Sequence, residues 1–262
     1  MSETVADLQQ LPWLEAHLRR NKFLPAPPAE LTFCGDGDYR AIGAEFLGHF
    51  VRLGELRPTD RVLDIGCGIG RMAVPLTQFL SEEGQFTGID IVKDGIAWCD
   101  RSISPVYPNF RFQHLDLHHP LYNPTGSENA TKIRLPFPDH SFDFIYLVSV
   151  LTHVEGAVLL NYAREIGRLL APGGRCFATA FLLNKPSREA LKAGEGRLAF
   201  DPDQDGPEIY ADPDAPMAAV AFDENFLLEK FLRFGRKRLR PALYGCWSGR
   251  HSSVFQDICI FE

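Results

Sequence analysis

Apolar positions along the chain fall first at helical spacing and then, from about residue 61, in short runs separated by helical stretches. Leu8, Leu11, Trp13, Leu14 and Leu18 recur at helical spacing and predict an N-terminal helix over 6–22. The run PAPPAE that follows breaks it. Ile42, Phe46, Phe50 and Leu53 predict a second amphipathic helix over 38–54. RVLDIG then reads as a short buried strand with a helix at about 70–82 after it. QFTGIDI (85–91) reads as a second strand with a helix at about 93–103, and FRFQHLDL (110–117) as a third strand. FDFIYLVSV (142–150) is a fourth, followed by a helix over 155–170 stopped by APGG, and RCFATAFLL (175–183) is a fifth. Strands alternating with helices mean β-α-β units: a parallel sheet with helices on both faces.

Two stretches interrupt this rhythm, at about 118–141 and 184–221. Both exceed the usual connection in an α/β unit, and such long segments tend to be lids or binding loops. After them come a helix at about 223–234 and two stretches, RKRLRPALYG and SSVFQDICIF, that read as strands joined by a turn around CWSGRH. The reading therefore divides the chain into an N-terminal helical cap, 1–37, and one α/β domain, 38–262, that carries both inserts.

Length and composition fit this picture. The chain has 262 residues, enough for one large α/β domain, with 45% hydrophobic and 23% charged residues. The net charge of −7 opposes a phosphate backbone, so a nucleic-acid partner is not expected. The first 23 residues lack a basic start followed by an apolar run, and no stretch is long enough to span a bilayer, so neither a leader nor a membrane partner is expected. Cysteines 34, 67, 99, 176, 246 and 259 form no C-x-x-C pair and read as free thiols in a reducing cytoplasm.

The chemistry concentrates at VLDIGCGIGR (62–71). A strand, a glycine turn and a helix start suggest a nucleotide-type site at the sheet edge. The dinucleotide fingerprint fails, because Arg71 stands where the third glycine is required, and no Lys-Ser/Thr follows to make a phosphate loop. Asp64 beside the loop would repel a pyrophosphate but suits a cationic ligand. Asp90 ends the second strand, where a carboxylate can accept from both hydroxyls of a ribose, and Asp116 ends the third, where it can accept from an exocyclic amine. Three successive strands ending in acids point to a ligand with a cationic end, a ribose and a purine, and no phosphate. S-adenosyl-L-methionine fits.

At this point the sequence resembles the class I S-adenosylmethionine-dependent methyltransferases. VLDIGCGIGR is similar to their first motif, GIDI to the second-strand acid and FQHLDL to the third-strand acid. LPFPDHSFDFIYLVSVLTHV and EIGRLLAPGGRCFATAF are similar to their fourth-strand and fifth helix–strand motifs. The resemblance implies a Rossmann-like, mostly parallel sheet with a C-terminal antiparallel strand. It further implies that Asp64 serves the methionine moiety, and that Gly66, Cys67, Gly68, Gly70 and Arg71 form the loop around it. Asp90 would hold the ribose and Ile91 would pack on the adenine. Asp116 with Leu117 would read the adenine edge, and the Val148 carbonyl would meet the ammonium.

His153, just past the fourth strand, reads either as a general base for a hydroxyl substrate or as a residue that packs on the cofactor or caps the next helix. His114, His118 and His119 around Asp116 superficially resemble a metal cluster, but Asp116 already has a role and no metal is expected. Trp247 and Arg250 read either as a substrate-stacking and anion-pairing couple or as a packed turn. Phe181, Phe200, Tyr210 and Trp13 are candidates for an apolar lid. The run Arg233, Arg236, Lys237, Arg238, Arg240 reads mainly as a solvated helix end. The expected activity is methyl transfer to a small-molecule acceptor, most readily O-methylation of a natural-product or sugar-like metabolite. The alternatives are N- or C-methylation, a cofactor-binding module without turnover, and a nicotinamide oxidoreductase on the same sheet class.

Overall fold

The structure is a computed structural model that describes residues 3–32, 35 and 37–262. Cys34 and the side chain of Leu8 lie outside the described residues. Two compact units make up the chain: Met1–Asp116 with Phe142–Ile145, and Leu117–Ser141 with Tyr146–Glu262.

In the first unit, helix α1 (Glu3–Arg20) packs on α2 (Tyr39–Arg52). Leu11 and Leu18 are buried along α1, Leu47 and Phe50 along α2, and Glu15 pairs with Arg52 at 2.7 Å. Asp38 caps α2 by accepting from the Ala41 N–H at 2.7 Å, satisfying one of the donors a helix start leaves open. Strands β1 (Arg61–Ile65), β2 (Gln85–Asp90) and β3 (Phe110–His114) then pair in parallel, with Ile65 opposite Ile89 and Asp90 opposite His114. The third strand ends three residues before the expected Leu117. The expected helix at 70–82 is reduced to α3 (Ala73–Leu76), flanked by turns. Pro75 explains this: it has no N–H to donate back along the helix, and the following residues close i−3 bonds instead, Gln78 N to Pro75 O and Phe79 N to Leu76 O. Helix α4 (Lys93–Ser102) follows β2 as predicted.

Strand β4 (Phe142–Leu147) bridges the two units in sequence. In the second unit come α5 (Gly156–Leu169), β5 (Leu170–Ala180), β6 (Leu182–Leu183), α6 (Lys185–Lys192), β7 (Glu208–Tyr210), β8 (Val220–Asp223), α7 (Glu224–Arg233) and β9 (Asp257–Phe261). The main sheet has the order β3-β2-β1-β4-β5-β9, and β9 runs antiparallel to β5 with Cys176 opposite Phe261. This is the mostly parallel sheet with an antiparallel last strand that the sequence pattern and the resemblance implied.

Three further expectations change. APGG does not separate helix from strand: α5 ends at Leu169, and β5 begins at once, running through the positive-φ residue Gly173. The segment 184–221 is not an open loop, because β6, β8 and β7 build a second three-stranded sheet with α6 beside it. RKRLRPALYG is not a continuous strand. Leu239 N donates to Ile260 O and Leu243 N to Ile258 O, so four steps on one side face two on the other. Pro241, which has no N–H, sits in the extra residues that bulge out.

Candidate active site

In the first unit the glycine loop leaves β1 and turns sharply. Gly66, Gly68 and Gly70 all have positive φ, at 84°, 55° and 71°, a backbone region that residues with a Cβ rarely enter. The N–H groups of Gly66 and Cys67 both donate to Ile89 O, at 2.8 and 3.0 Å, tying the turn to β2. Asp90 then organises the loop from the end of β2. Its Oδ2 accepts from Gly68 N at 2.6 Å and its Oδ1 from Val92 N at 2.7 Å. Burial pushes the Asp90 carboxyl above the usual carboxylate range, against the pull of these backbone donors. Asp64 is buried in β1 beside Gly88 of β2. Gly95 at the start of α4 keeps that helix close, since a Cβ there would lie 2.6 Å from Gly68 O.

The remaining predicted residues of this unit lie around the loop or past the third strand. Ile91 directs its carbonyl to His114 Nε2 at 3.1 Å. Asp116 lies two residues beyond β3. Arg71 follows the glycine turn and donates to Gly35 O at 3.3 Å. Tyr39, which nothing in the sequence singled out, hydrogen-bonds Ile69 O at 2.9 Å from α2, thirty residues away along the chain.

In the second unit Leu117 is buried and pairs with Glu128, and its carbonyl accepts from Asn123 Nδ2 at 3.0 Å. Val148 follows β4 directly. Ser149 next to it holds φ +60°, unusual for a residue with a side chain. Its N–H donates to Thr179 Oγ1 at 2.8 Å, Thr179 donates to Gln256 Oε1 at 2.5 Å, and Gln256 Nε2 donates back to Ser149 Oγ at 2.9 Å. This ring of three polar side chains carried no sequence signal, because its members lie as far as 107 positions apart.

His153 is half-buried. A carbonyl can only accept, so the 3.0 Å contact to Met217 O requires the proton on Nδ1 and leaves Nε2 as the acceptor of the neutral ring. Burial lowers its pKa, the Met217 carbonyl opposes that, and His119 adds to the lowering. His119 uses both ring nitrogens, Nε2 to His153 O and Nδ1 from Leu121 and Tyr122 N–H, so it has none left for a metal. Among the described residues no three His, Cys, Asp or Glu side chains converge as a metal set.

Other candidates are structural. Trp247 is fully buried with Nε1 donating to Asp257 at 2.7 Å, so it cannot stack on a substrate. Arg250 reaches Asn184 and lies over the Tyr244 ring. Phe181 and Phe200 are packed with Trp247 and Ile209 in a core cluster rather than forming a lid. Tyr210 hydrogen-bonds Glu208, and Trp13 is 70% exposed, stacked on His17.

The chain thus has an open α/β sheet whose glycine loop follows the first strand and is held by Asp90 from the second. Residues 63–178 match the family model described as methyltransferase domain. The 27-O-demethylrifamycin SV methyltransferase of Amycolatopsis mediterranei is 32% identical over 143 residues, which cover 55% of this chain and 46% of that protein. A tRNA N(3)-cytidine methyltransferase of Danio rerio is 29% identical over 122 residues, covering 44% and 30%. The match thus spans less than half the length of these two relatives. The solved structure of a S-adenosylmethionine-dependent methyltransferase from Methanosarcina mazei superposes with a TM-score of 0.51 at 22% identity, covering 79% of this chain and 94% of that one. Residues 63–178 are therefore similar to a methyltransferase domain, and the fold is shared with the Methanosarcina mazei structure. Among the described residues no helix is long and apolar enough to cross a membrane.

Proposed function

We propose that the chain transfers the methyl group of S-adenosylmethionine to a hydroxyl of a small metabolite, with His153 as the general base. The observation that carries this reading is the His153 ring itself, held by Met217 O as the Nδ1–H tautomer with Nε2 as a neutral acceptor. A hydroxyl must lose its proton as its oxygen takes the methyl, and a neutral imidazole is suited to receive it.

The residues around the glycine loop fit the cofactor. A carboxylate offers about four lone-pair positions, and Asp90 accepts from the Gly68, Val92 and Ile91 N–H groups, leaving an acceptor for a ribose hydroxyl. Asp64, Gly66, Cys67, Gly68, Gly70 and Arg71 would surround the methionine part, Ile91 the adenine face, Asp116 and Leu117 the adenine edge, and the Val148 carbonyl the ammonium. When bound, the sulfonium supplies an electrophilic methyl. The protein's part is to hold the acceptor oxygen in line and to take its proton on His153 Nε2, and most of the acceleration then comes from positioning.

The rifamycin-derivative methyltransferase among the relatives supports an O-linked small-molecule acceptor. The tRNA methyltransferase favours a second reading, an RNA acceptor. Only the basic run at 233–240 speaks for it here, and two of its members serve the fold: Arg236 donates to Gly167 O at 2.9 Å, and Arg238 pairs with Glu224 at 2.6 Å. The net charge of −7 also opposes it.

Transfer of labelled methyl from S-adenosylmethionine to a panel of hydroxyl-bearing metabolites and to unmodified tRNA tests the proposal. For a hydroxyl acceptor, His153→Ala and His153→Gln should each lower kcat roughly 10²–10⁴-fold with cofactor affinity little changed. Wild-type turnover by His153→Gln would remove His153 as the base, and turnover on tRNA alone would replace the acceptor class.

A further inference from the structure

The adjacent histidines His118 and His119 remain unexplained by the cofactor site. His119 is buried, and its contacts converge on His153. Its Nε2–H donates to the His153 backbone carbonyl at 2.8 Å. Its Nδ1 accepts from Leu121 N at 3.2 Å and Tyr122 N at 3.3 Å. The turn is closed again by reciprocal backbone bonds between His119 and Asn123, both 3.0 Å. Inside it the Tyr122 ring lies with its centroid 5.0 Å from the His119 ring and 5.6 Å from that of His153, at 87° to the latter. On the side of the second insert, Met217 O takes the His153 Nδ1–H.

We infer that His119 is a positioning residue for His153: from the first insert it fixes the His153 backbone and the Tyr122 ring, so that the Met217 carbonyl of the second insert meets the imidazole in one orientation and Nε2 stays its acceptor nitrogen. The inference rests on the reading of His153 as the base. The chemistry of His119 suits the task. A ring with one donor and one acceptor nitrogen holds a carbonyl and two N–H groups at once. A protonated His119 would lose its acceptor and open the turn, and burial disfavours that form. The titratable groups that face His153 are His119 and Tyr122 of the turn. The 216–218 segment presents the Met217 carbonyl to it, supported by the Ala218 backbone, and His118 acts on His119.

The test uses the full chain with 15N-labelled histidine and long-range proton–nitrogen correlation spectra, which need no acceptor. Wild type should show His153 as a single tautomer, pyrrole-like at Nδ1 and pyridine-like at Nε2. His119→Asn keeps an acceptor for the turn but cannot reach His153 O. It should give tautomer-averaged His153 signals and move the His153 midpoint toward the ordinary histidine value of about 6.5. His119→Gln places a donor near the Nε2 position and should restore the wild-type pattern. His153 signals and midpoint unmoved in a folded His119→Asn chain would overturn the inference, as would a folded His119→Gln chain that averages tautomers like His119→Asn. If His119→Asn frees the tautomer while His153→Gln transfers methyl at the wild-type rate, the base reading fails and the positioning stands.

Discussion

Arg168→Ala should loosen the first insert from α5 and cost about 3–5 kcal/mol of stability, the usual loss when one partner of a buried ion pair is removed. The Arg168 side chain is 12% exposed and that of Glu165 2%. Glu165 Oε2 accepts from Arg168 Nη2 at 2.6 Å and from Leu135 N at 2.8 Å. The guanidinium also donates to Leu135 O at 3.0 Å, to Phe137 O at 2.7 Å and to Asp139 at 2.9 Å. Removing it leaves the buried Glu165 carboxylate with only the longer 3.8 Å contact to Arg164 as a cationic partner and takes the donor from two carbonyls of the insert. Urea denaturation at neutral pH should show a lower midpoint at an unchanged slope, and the thermal midpoint should fall by roughly 6–20 °C for a chain of this size. Arg168→Met combined with Glu165→Gln should recover part of the loss, because no charge is then left unpaired. A loss below about 1 kcal/mol in the single variant, the worth of an exposed pair, would refute the reasoning.

Gly95→Ala should place a methyl 2.6 Å from Gly68 O, push α4 off the glycine loop and weaken S-adenosylhomocysteine binding by about 1–3 kcal/mol in calorimetry, with the far-ultraviolet spectrum unchanged. Asp90→Ala should strand the Gly68 and Val92 N–H groups as well as a ribose hydroxyl, and lower the same affinity by about 1–3 kcal/mol. Burial lowers the pKa of His119 and His153, so between their folded values and the unfolded value of about 6.5 the unfolded chain binds more protons than the folded one. Their contribution is therefore complete above about pH 6.5 and shrinks as pH falls below it. Denaturation midpoints measured from pH 8 to 5 should show that decline, and a chain with both His119→Gln and His153→Gln should show less of it.

How much of this was legible in the sequence depends on the distance over which each feature is specified. Alternation of short apolar strands with helices gave the order of the main sheet elements, and local glycine and acid spacing gave the loop with Asp64 and Asp90. What local pattern misread was decided by single prolines or by remote partners. Pro75 shortened α3, and Pro241 bulged the segment expected to pair with β9. The aromatic residues proposed as a lid, Phe181 and Phe200, found a third partner in Trp247 and became core. The Ser149–Thr179–Gln256 ring and the Tyr39 bond to Ile69 join positions too distant for spacing to reveal. In sequence the paired histidines at 118–119 resemble part of a metal cluster. The turn at 119–123, which sets His119 against the His153 backbone, joins positions too distant for spacing to show.

Equilibrium dialysis of the full chain against S-adenosylmethionine and, in parallel, against NAD tests the central claim most directly. The account predicts saturable binding of S-adenosylmethionine that is lost when Gly68→Val fills the loop, and no binding of NAD. Binding of NAD in preference to S-adenosylmethionine, or S-adenosylmethionine bound equally by wild type and Gly68→Val, would contradict it.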